Sequence, residues 1–332
     1  MIDHPRAYFD QGYATWENIF GAHPLVPHRH YIIIPDGALD LLPVDALPCR
    51  AAYTPSPAQW PLVLRECSIS YAWSIATLKL TSRPSGNPHG FAGFFIGDGR
   101  RGQVSLGAVR KEEEGISRSM QGGSFFADSQ ATASAFQTAL QQAAVVHVSS
   151  HAFSRTDSTH APTIALYDHP FYIFQLSSQP HHPTLVVLSA CRTGDGKLIV
   201  GEGIQSMARA FTGAGTNGVI AGWWDVHDEA AARLMTVFYR NLRTGDPPPE
   251  ALHRAKESWL EDPAVPYLEK LPWYWAALNY QGTVAPLSQD LFYHGTENSN
   301  SWLIAAGIAL LIAGLTILVR YRGKKNRSRG ER

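Results

Sequence analysis

Short apolar runs that stop abruptly, separated by stretches of helical periodicity, constrain the fold of this chain more than any other feature. Residues 144–148 read as a strand ending in Ser149-Ser150-His151, and 185–188 as a strand followed by Ser189-Ala190-Cys191. Residues 31–34 and 91–96 read the same way, stopped by Pro35-Asp36-Gly37 and Gly97-Asp98-Gly99. Residues 163–167, 218–224 and 273–280 supply the remaining expected strands. The expected helices cover 128–143, 204–211, 229–242 and 250–260. In the first of these Ala131, Ala135, Phe136 and Leu140 recur at helical spacing, with Asp128 as the expected cap. Residues 1–29 read as a mixed lead-in, and 100–125, rich in glycine, serine and charge, as an exposed connection. Strands alternating with helices predict an α/β fold on an open, mostly parallel sheet.

Such a sheet gathers reactive groups where its strands end, because the loops there vary over a rigid scaffold. Two of the expected strands lead into the residues a thiol hydrolase needs. His151 follows one and Cys191 the other, 40 positions apart (191 minus 151). A thiol attacks a carbonyl well once its proton is removed, and a neighbouring imidazole removes it. Adjacent parallel strands would bring the pair together. Against this stands the plainer reading, since a cysteine at a strand end is more often an inert, half-buried thiol. His147, inside the apolar run, reads as a buried histidine with a hydrogen-bond partner. It lies four residues from His151, but no third ligand at metal spacing accompanies them, so neither metal nor cofactor is expected.

With 45% hydrophobic and 17% charged residues, the 332-residue chain can bury a sizeable core. Its 28 basic and 28 acidic residues are unevenly placed. Seven basic residues fall in 320–332 against Glu331 alone, leaving 21 basic and 27 acidic residues in 1–319, a net of −6. An acidic body argues against nucleic acid as the main partner, because phosphate binding needs a basic face. The three cysteines form no CxxC pair. At most one bridge, Cys49 with Cys67, is open to them, and Cys191 is left over.

Residues 302–319, WLIAAGIALLIAGLTILV, are 18 uncharged residues flanked by Tyr321 and the basic tail. At about 1.5 Å rise per residue they nearly span the ~30 Å hydrocarbon core of a membrane. A transmembrane helix is therefore expected there, after a polar linker at 284–301 and before a basic tail at 320–332. Residues 1–10 lack the charged-then-apolar pattern of a leader, which favours a catalytic body in the cytoplasm. The positive-inside rule argues the opposite orientation, because the basic flank is C-terminal.

Seven segments follow one another along the chain: IIPDGALDLLP at 33–43, VVHVSSHA at 145–152, VVLSACRTG at 186–194, GEGIQSMARAF at 201–211, FYRNL at 238–242, ALHRAK at 251–256 and WYWAAL at 273–278. In that order they resemble the bacterial CHAT family of caspase-like cysteine peptidases, over about residues 11–282. The resemblance implies a caspase-like three-layer sandwich with a mostly parallel sheet, here with one C-terminal transmembrane helix. The peptidase domain is expected at 30–283, its catalytic part at about 126–283.

By this resemblance His151 is the general base and Cys191 the nucleophile, with backbone N–H groups of Ala152 and Cys191 holding the oxyanion. The family and its caspase relatives usually carry glycine after the histidine. Ala152 departs from that pattern and carries a penalty if the backbone there needs positive φ. Residues 223–228, WWDVHD, resemble a segment lining the substrate cleft of separase. Asp225 or Asp228 would then receive a basic substrate side chain. The plainer reading of Asp228-Glu229 is a helix start, and Glu202 likewise reads as a first-turn acid.

The implied activity is an endopeptidase cutting a protein substrate near the membrane, in signalling or defence, with a separate activating protein as a further expected partner. The alternative is a catalytically idle CHAT-fold scaffold, disfavoured because His151 and Cys191 are both in place. A serine hydrolase using Ser189 or Ser150 lacks the G-x-S-x-G elbow.

Overall fold

The computed structural model describes residues 4–81, 89–97, 107–150, 152–153, 162–178, 183–190, 202–224 and 227–287. The chain divides into two units, Met1–Phe292 and Tyr293–Arg332, and every described residue belongs to the first.

The expected lead-in contains a helix, α1 (Pro5–Phe20), with proline in its first turn, where the missing N–H removes no helical bond. Phe9 and Trp16, seven residues apart on one stripe, are buried. Phe9 meets Trp60 edge-on, with ring centroids 5.5 Å apart. So thin a stripe is hard to see among polar neighbours, which is why the helix escapes a periodicity reading. Next come β1 (His30–Ile33), β2 (Ser68–Tyr71), α2 (Ile75–Thr81) and β3 (Phe91–Phe95).

The stretch expected as an exposed connection contains α3 (Val109–Ser117) and β4 (Ser124–Ala127). Four residues of α3 are buried, Val109, Glu112, Gly115 and Ile116, and its run of charge hides them. In α4 (Ala133–Gln142) the cap is Thr132, whose hydroxyl accepts from the Ala135 N–H at 3.2 Å. Asp128, the expected cap, instead sits in a short turn at φ 42° and accepts from the Gly97 N–H at 3.2 Å.

After α4 come β5 (Val145–Ser149), the short strands β6 (Ala152–Phe153), β7 (Thr163–Ile164) and β8 (Phe171–Tyr172), and then β9 (Leu185–Ala190). They are followed by α5 (Glu202–Gly213), β10 (Gly218–Gly222), α6 (Asp228–Arg243), α7 (Pro248–Glu261), α8 (Pro272–Trp275) and β11 (Leu278–Gly282). The strand expected at 273–280 thus begins as a helical turn started by Pro272, and pairing starts only at Leu278. α6 has acids at its start (Asp228, Glu229) and bases in its last turn (Arg240, Arg243), matching the helix dipole at both ends.

Among the described residues the main sheet has eight strands in the order β1-β2-β11-β10-β9-β5-β3-β4. Only the β10–β11 pairing is antiparallel. Side-chain alternation sends Phe91, Phe95, Val145, Leu185, Val187 and Ile220 to one face, where α3, α6 and α7 cover them. Ala92, Phe94, Val146, Val148, Val186 and Leu188 go to the other face, beneath α4 and α5. Buried on both sides, the central strands must be apolar almost throughout, which is why they stood out as continuous runs.

The one bridge open to the sequence, Cys49 with Cys67, does not form. Both thiols are free, Cys49 donating to the Pro61 carbonyl at 3.0 Å and Cys67 to that of Val26 at 3.3 Å. Among the described residues no helix is long and apolar enough to cross a membrane. Residues 302–319 lie outside the described residues.

Candidate active site

β5 and β9 are neighbours in the centre of the sheet and run in parallel. Val148 stands opposite Leu188, but Ser149 stands opposite Ala190. The register step leaves Ser189 as an extra residue on β9, a bulge at the strand's end, which re-aims side chains locally. Paired strands lie about 4.8 Å apart, so the two tips are one strand spacing from each other.

His151 and Cys191 lie outside the described residues, as does Asp225. In the sequence Cys191 directly follows Ala190, the end of β9, and His151 comes two residues after Ser149, the end of β5. Between Ser149 and His151, the Ser150 hydroxyl is buried and donates to the Ala165 carbonyl at 2.5 Å, tying the β5 tip to the following loop. Ala152 begins β6 and pairs with Ile164. Its backbone is extended, a conformation alanine adopts without strain, so the positive-φ penalty raised by the sequence does not arise.

Beneath the two tips, on the α3–α6 side of the sheet, lies a buried polar cluster. His147 is fully buried. Its Nδ1 is 3.1 Å from the Tyr239 hydroxyl on α6, and its Nε2 is 3.4 Å from Ser189 Oγ and 3.3 Å from Glu112 Oε1. The Ser149 hydroxyl donates to Glu112 Oε2 at 2.6 Å. Burial, and next the charge of Glu112, pushes the Tyr239 phenol well above its ordinary range. Tyr239 therefore keeps its proton and faces the ring as a neutral phenol. Glu112 Oε1 makes no well-aligned hydrogen bond, so its contact with the ring is mainly electrostatic.

His147 is thus buried with a hydrogen-bond partner, as the sequence leads one to expect. Glu112 and Tyr239 were not foreseen as part of a site. Val109, Glu112 and Ile116, at helical spacing, were the available signal, a glutamate on the apolar stripe of a helix.

Past β10, Trp223 is buried and Trp224 half-buried. Trp224 donates from Nε1 to the Trp273 carbonyl at 2.9 Å and stacks on its ring at 5.4 Å. Asp228 is the first residue of α6 and half-buried, and Glu202 is the first residue of α5, both helix-start positions. Among the described residues no three His, Cys, Asp or Glu side chains gather as a metal would require.

The CHAT domain family matches this chain over residues 17–283. The chain belongs to the CHAT family. Among solved structures this CHAT protein is similar to the Arg-specific cysteine proteinase gingipain R (RgpB) of Porphyromonas gingivalis. The likeness has 10% identity and a TM-score of 0.50, and covers 87% of this chain and 69% of that one. At that identity the likeness is one of fold. Similarity also extends to the Saccharomyces cerevisiae separase–securin complex, at 13% identity and a TM-score of 0.43, over 65% of this chain and 14% of that one. No curated protein matches the sequence.

Proposed function

We propose that this CHAT protein is a caspase-like cysteine endopeptidase acting on a protein substrate, with His151 as general base and Cys191 as nucleophile. The observation that carries the reading is the pairing of Ser149 with Ala190, which sets side by side the two strand ends from which His151 and Cys191 follow. Membership of the CHAT family and a fold similar to gingipain R support it.

In this reading His151 takes the thiol proton and the Cys191 sulfur attacks the scissile carbonyl carbon. The resulting oxyanion is held by backbone N–H groups of Ala152 and Cys191. The tetrahedral intermediate collapses by breaking the C–N bond, and His151 gives its proton to the departing amine. A water molecule, deprotonated by the same imidazole, then cleaves the thioester and frees Cys191. Asp225, three residues before α6 in the sequence, and Asp228, its first residue, are the candidates for receiving a basic substrate side chain. Residues 302–319 would anchor the protein to a membrane with the catalytic body in the cytoplasm, and a separate protein would activate it.

The test is labelling of the purified protein by a library of acyloxymethyl-ketone peptides, in wild type, Cys191→Ala and His151→Ala. Labelling lost in both variants, with a preference for Arg or Lys, is the expected result. No labelling of wild type by any peptide would favour the idle scaffold. Recovery of the protein in the membrane fraction, and its release when 302–332 is removed, tests the anchor.

A further inference from the structure

The buried cluster beneath the strand tips is larger than the proposed dyad chemistry needs. Glu112, His147, Ser149 and Ser189 are each at most 2% exposed, in a part of the sheet where the other side chains facing α3 and α6 are apolar. Two hydroxyls in this cluster occupy telling positions. Ser149 comes two residues before His151 and Ser189 two residues before Cys191. Ser149 is held by Glu112 and Ser189 faces His147, which is itself braced by Glu112 and Tyr239.

The same carboxylate therefore reaches both strands, β5 directly and β9 through the imidazole. Ser189 is the bulged residue, the one the β5–β9 ladder leaves without a partner position. At this position the contact of Ser189 with His147 adds a constraint that the ladder itself does not supply. A core that needed only to pack would place apolar side chains at these positions. Burying a carboxylate is justified only where its bonds define a geometry.

We infer that Glu112 is a positioning residue: through Ser149, and through His147 to Ser189, it fixes the relative placement of the strand ends that carry His151 and Cys191. This rests on the dyad reading above for its consequence in catalysis, but not for the tether itself. Tyr239 serves the same device from α6 by orienting the His147 ring.

The experiment uses full-length protein in detergent, as wild type, Glu112→Gln, Ser149→Ala and His151→Ala. Two quantities are read: alkylation of Cys191 by iodoacetamide against pH, by mass spectrometry, and amide hydrogen exchange of peptides spanning 145–153 and 185–192. Glu112→Gln keeps the shape but only one of the two acceptor oxygens, and it replaces the other with a donor. It is expected to slow Cys191 alkylation below pH 7 about tenfold, to shift the profile upward, and to raise exchange about tenfold at the two tips only. Ser149→Ala, which removes one bond, is expected to give a smaller change in the same direction. It also stands in should Glu112→Gln fail to fold.

Variants that fold, yet match wild type in both the alkylation profile and tip exchange, would overturn the inference. A wild-type profile with no dependence on His151 would instead count against the dyad. Exchange at the tips then decides the tether alone: raised in Glu112→Gln it stands, unchanged it falls.

Discussion

Lys256 Nζ on α7 lies 2.5 Å from Asp45 Oδ2, across 211 residues of sequence, and both side chains are buried. The pair clamps α7 onto the segment between β1 and β2. Asp45 Oδ1 has no hydrogen bond, so Lys256 is the main compensation for this buried carboxylate among the described residues. Removing one partner of such a pair strands the other charge in the core. Asp45→Ala should therefore destabilise the protein by about 3–5 kcal/mol. The double variant Asp45→Leu/Lys256→Met should recover most of that. Chemical denaturation of the purified protein checks both, and additive losses would show that the pair is not coupled.

α3 sits against α6 so closely that a methyl group added at Gly115 would lie 2.0 Å from Thr236 Oγ1. Gly115→Ala is expected to cost about 1–3 kcal/mol despite the better helix propensity of alanine. Thr236→Ala removes the nearest atom and should restore the larger part of the loss in the double variant. A thermal shift series over the four proteins measures this. An unchanged melting temperature for Gly115→Ala would mean that the two helices can part without penalty.

Stability should fall in mild acid. His30 is held between Ser68 Oγ at 2.9 Å and Ser70 Oγ at 2.8 Å, and His253 packs on α7. Burial pushes both imidazoles below their ordinary range, in His253 against the pull of Glu257 and Glu250. The folded state thus favours the neutral rings, and the unfolded chain takes up protons first, near pH 6.5. Their contribution is complete above about pH 6.5 and is lost as the pH falls through the lower folded values. The melting temperature should be level from pH 8 to 7 and decline below it. His30→Asn should flatten part of that decline, and an identical pH slope in the variant would count against the assignment.

The thiols should differ in reactivity. Burial pushes Cys49 and Cys67 up from the ordinary thiol range, so both carry little thiolate at neutral pH. Under limiting iodoacetamide at pH 7 they should alkylate at least about tenfold more slowly than Cys191, if an imidazole activates the latter as proposed. Peptide mapping by mass spectrometry reads the three rates in one sample. Equal rates at all three positions would remove the case for an activated Cys191.

Much of the frame was legible from periodicity. β5, β9 and β10 announce themselves because they are covered on both faces and leave little room for polar residues beyond His147, Ser149 and Ser189. α6 and α7 carry wide apolar stripes and clear start signals, so their bounds fall close to expectation. α1 and α3 were missed for opposite reasons. α1 buries only two side chains fully, and α3 buries a glutamate and a glycine, residue types that a hydropathy reading assigns to solvent. In both cases tertiary contact supplied the stabilisation that local pattern did not show.

The sequence by itself determined the local elements, the identity of the residues at the ends of β5 and β9, and the expectation that His147 is buried with a partner. Those follow from short-range physics: side-chain period, turn chemistry, and the free energy of hiding apolar surface. Only the tertiary structure decided that β11 inserts between β2 and β10, that Ser149 stands opposite Ala190 across a bulge, and that Glu112 joins His147. Strand order and register depend on closing loops of tens of residues and on which faces fit once closed. The favourable environment of a buried carboxylate exists only when groups distant in sequence have met around it.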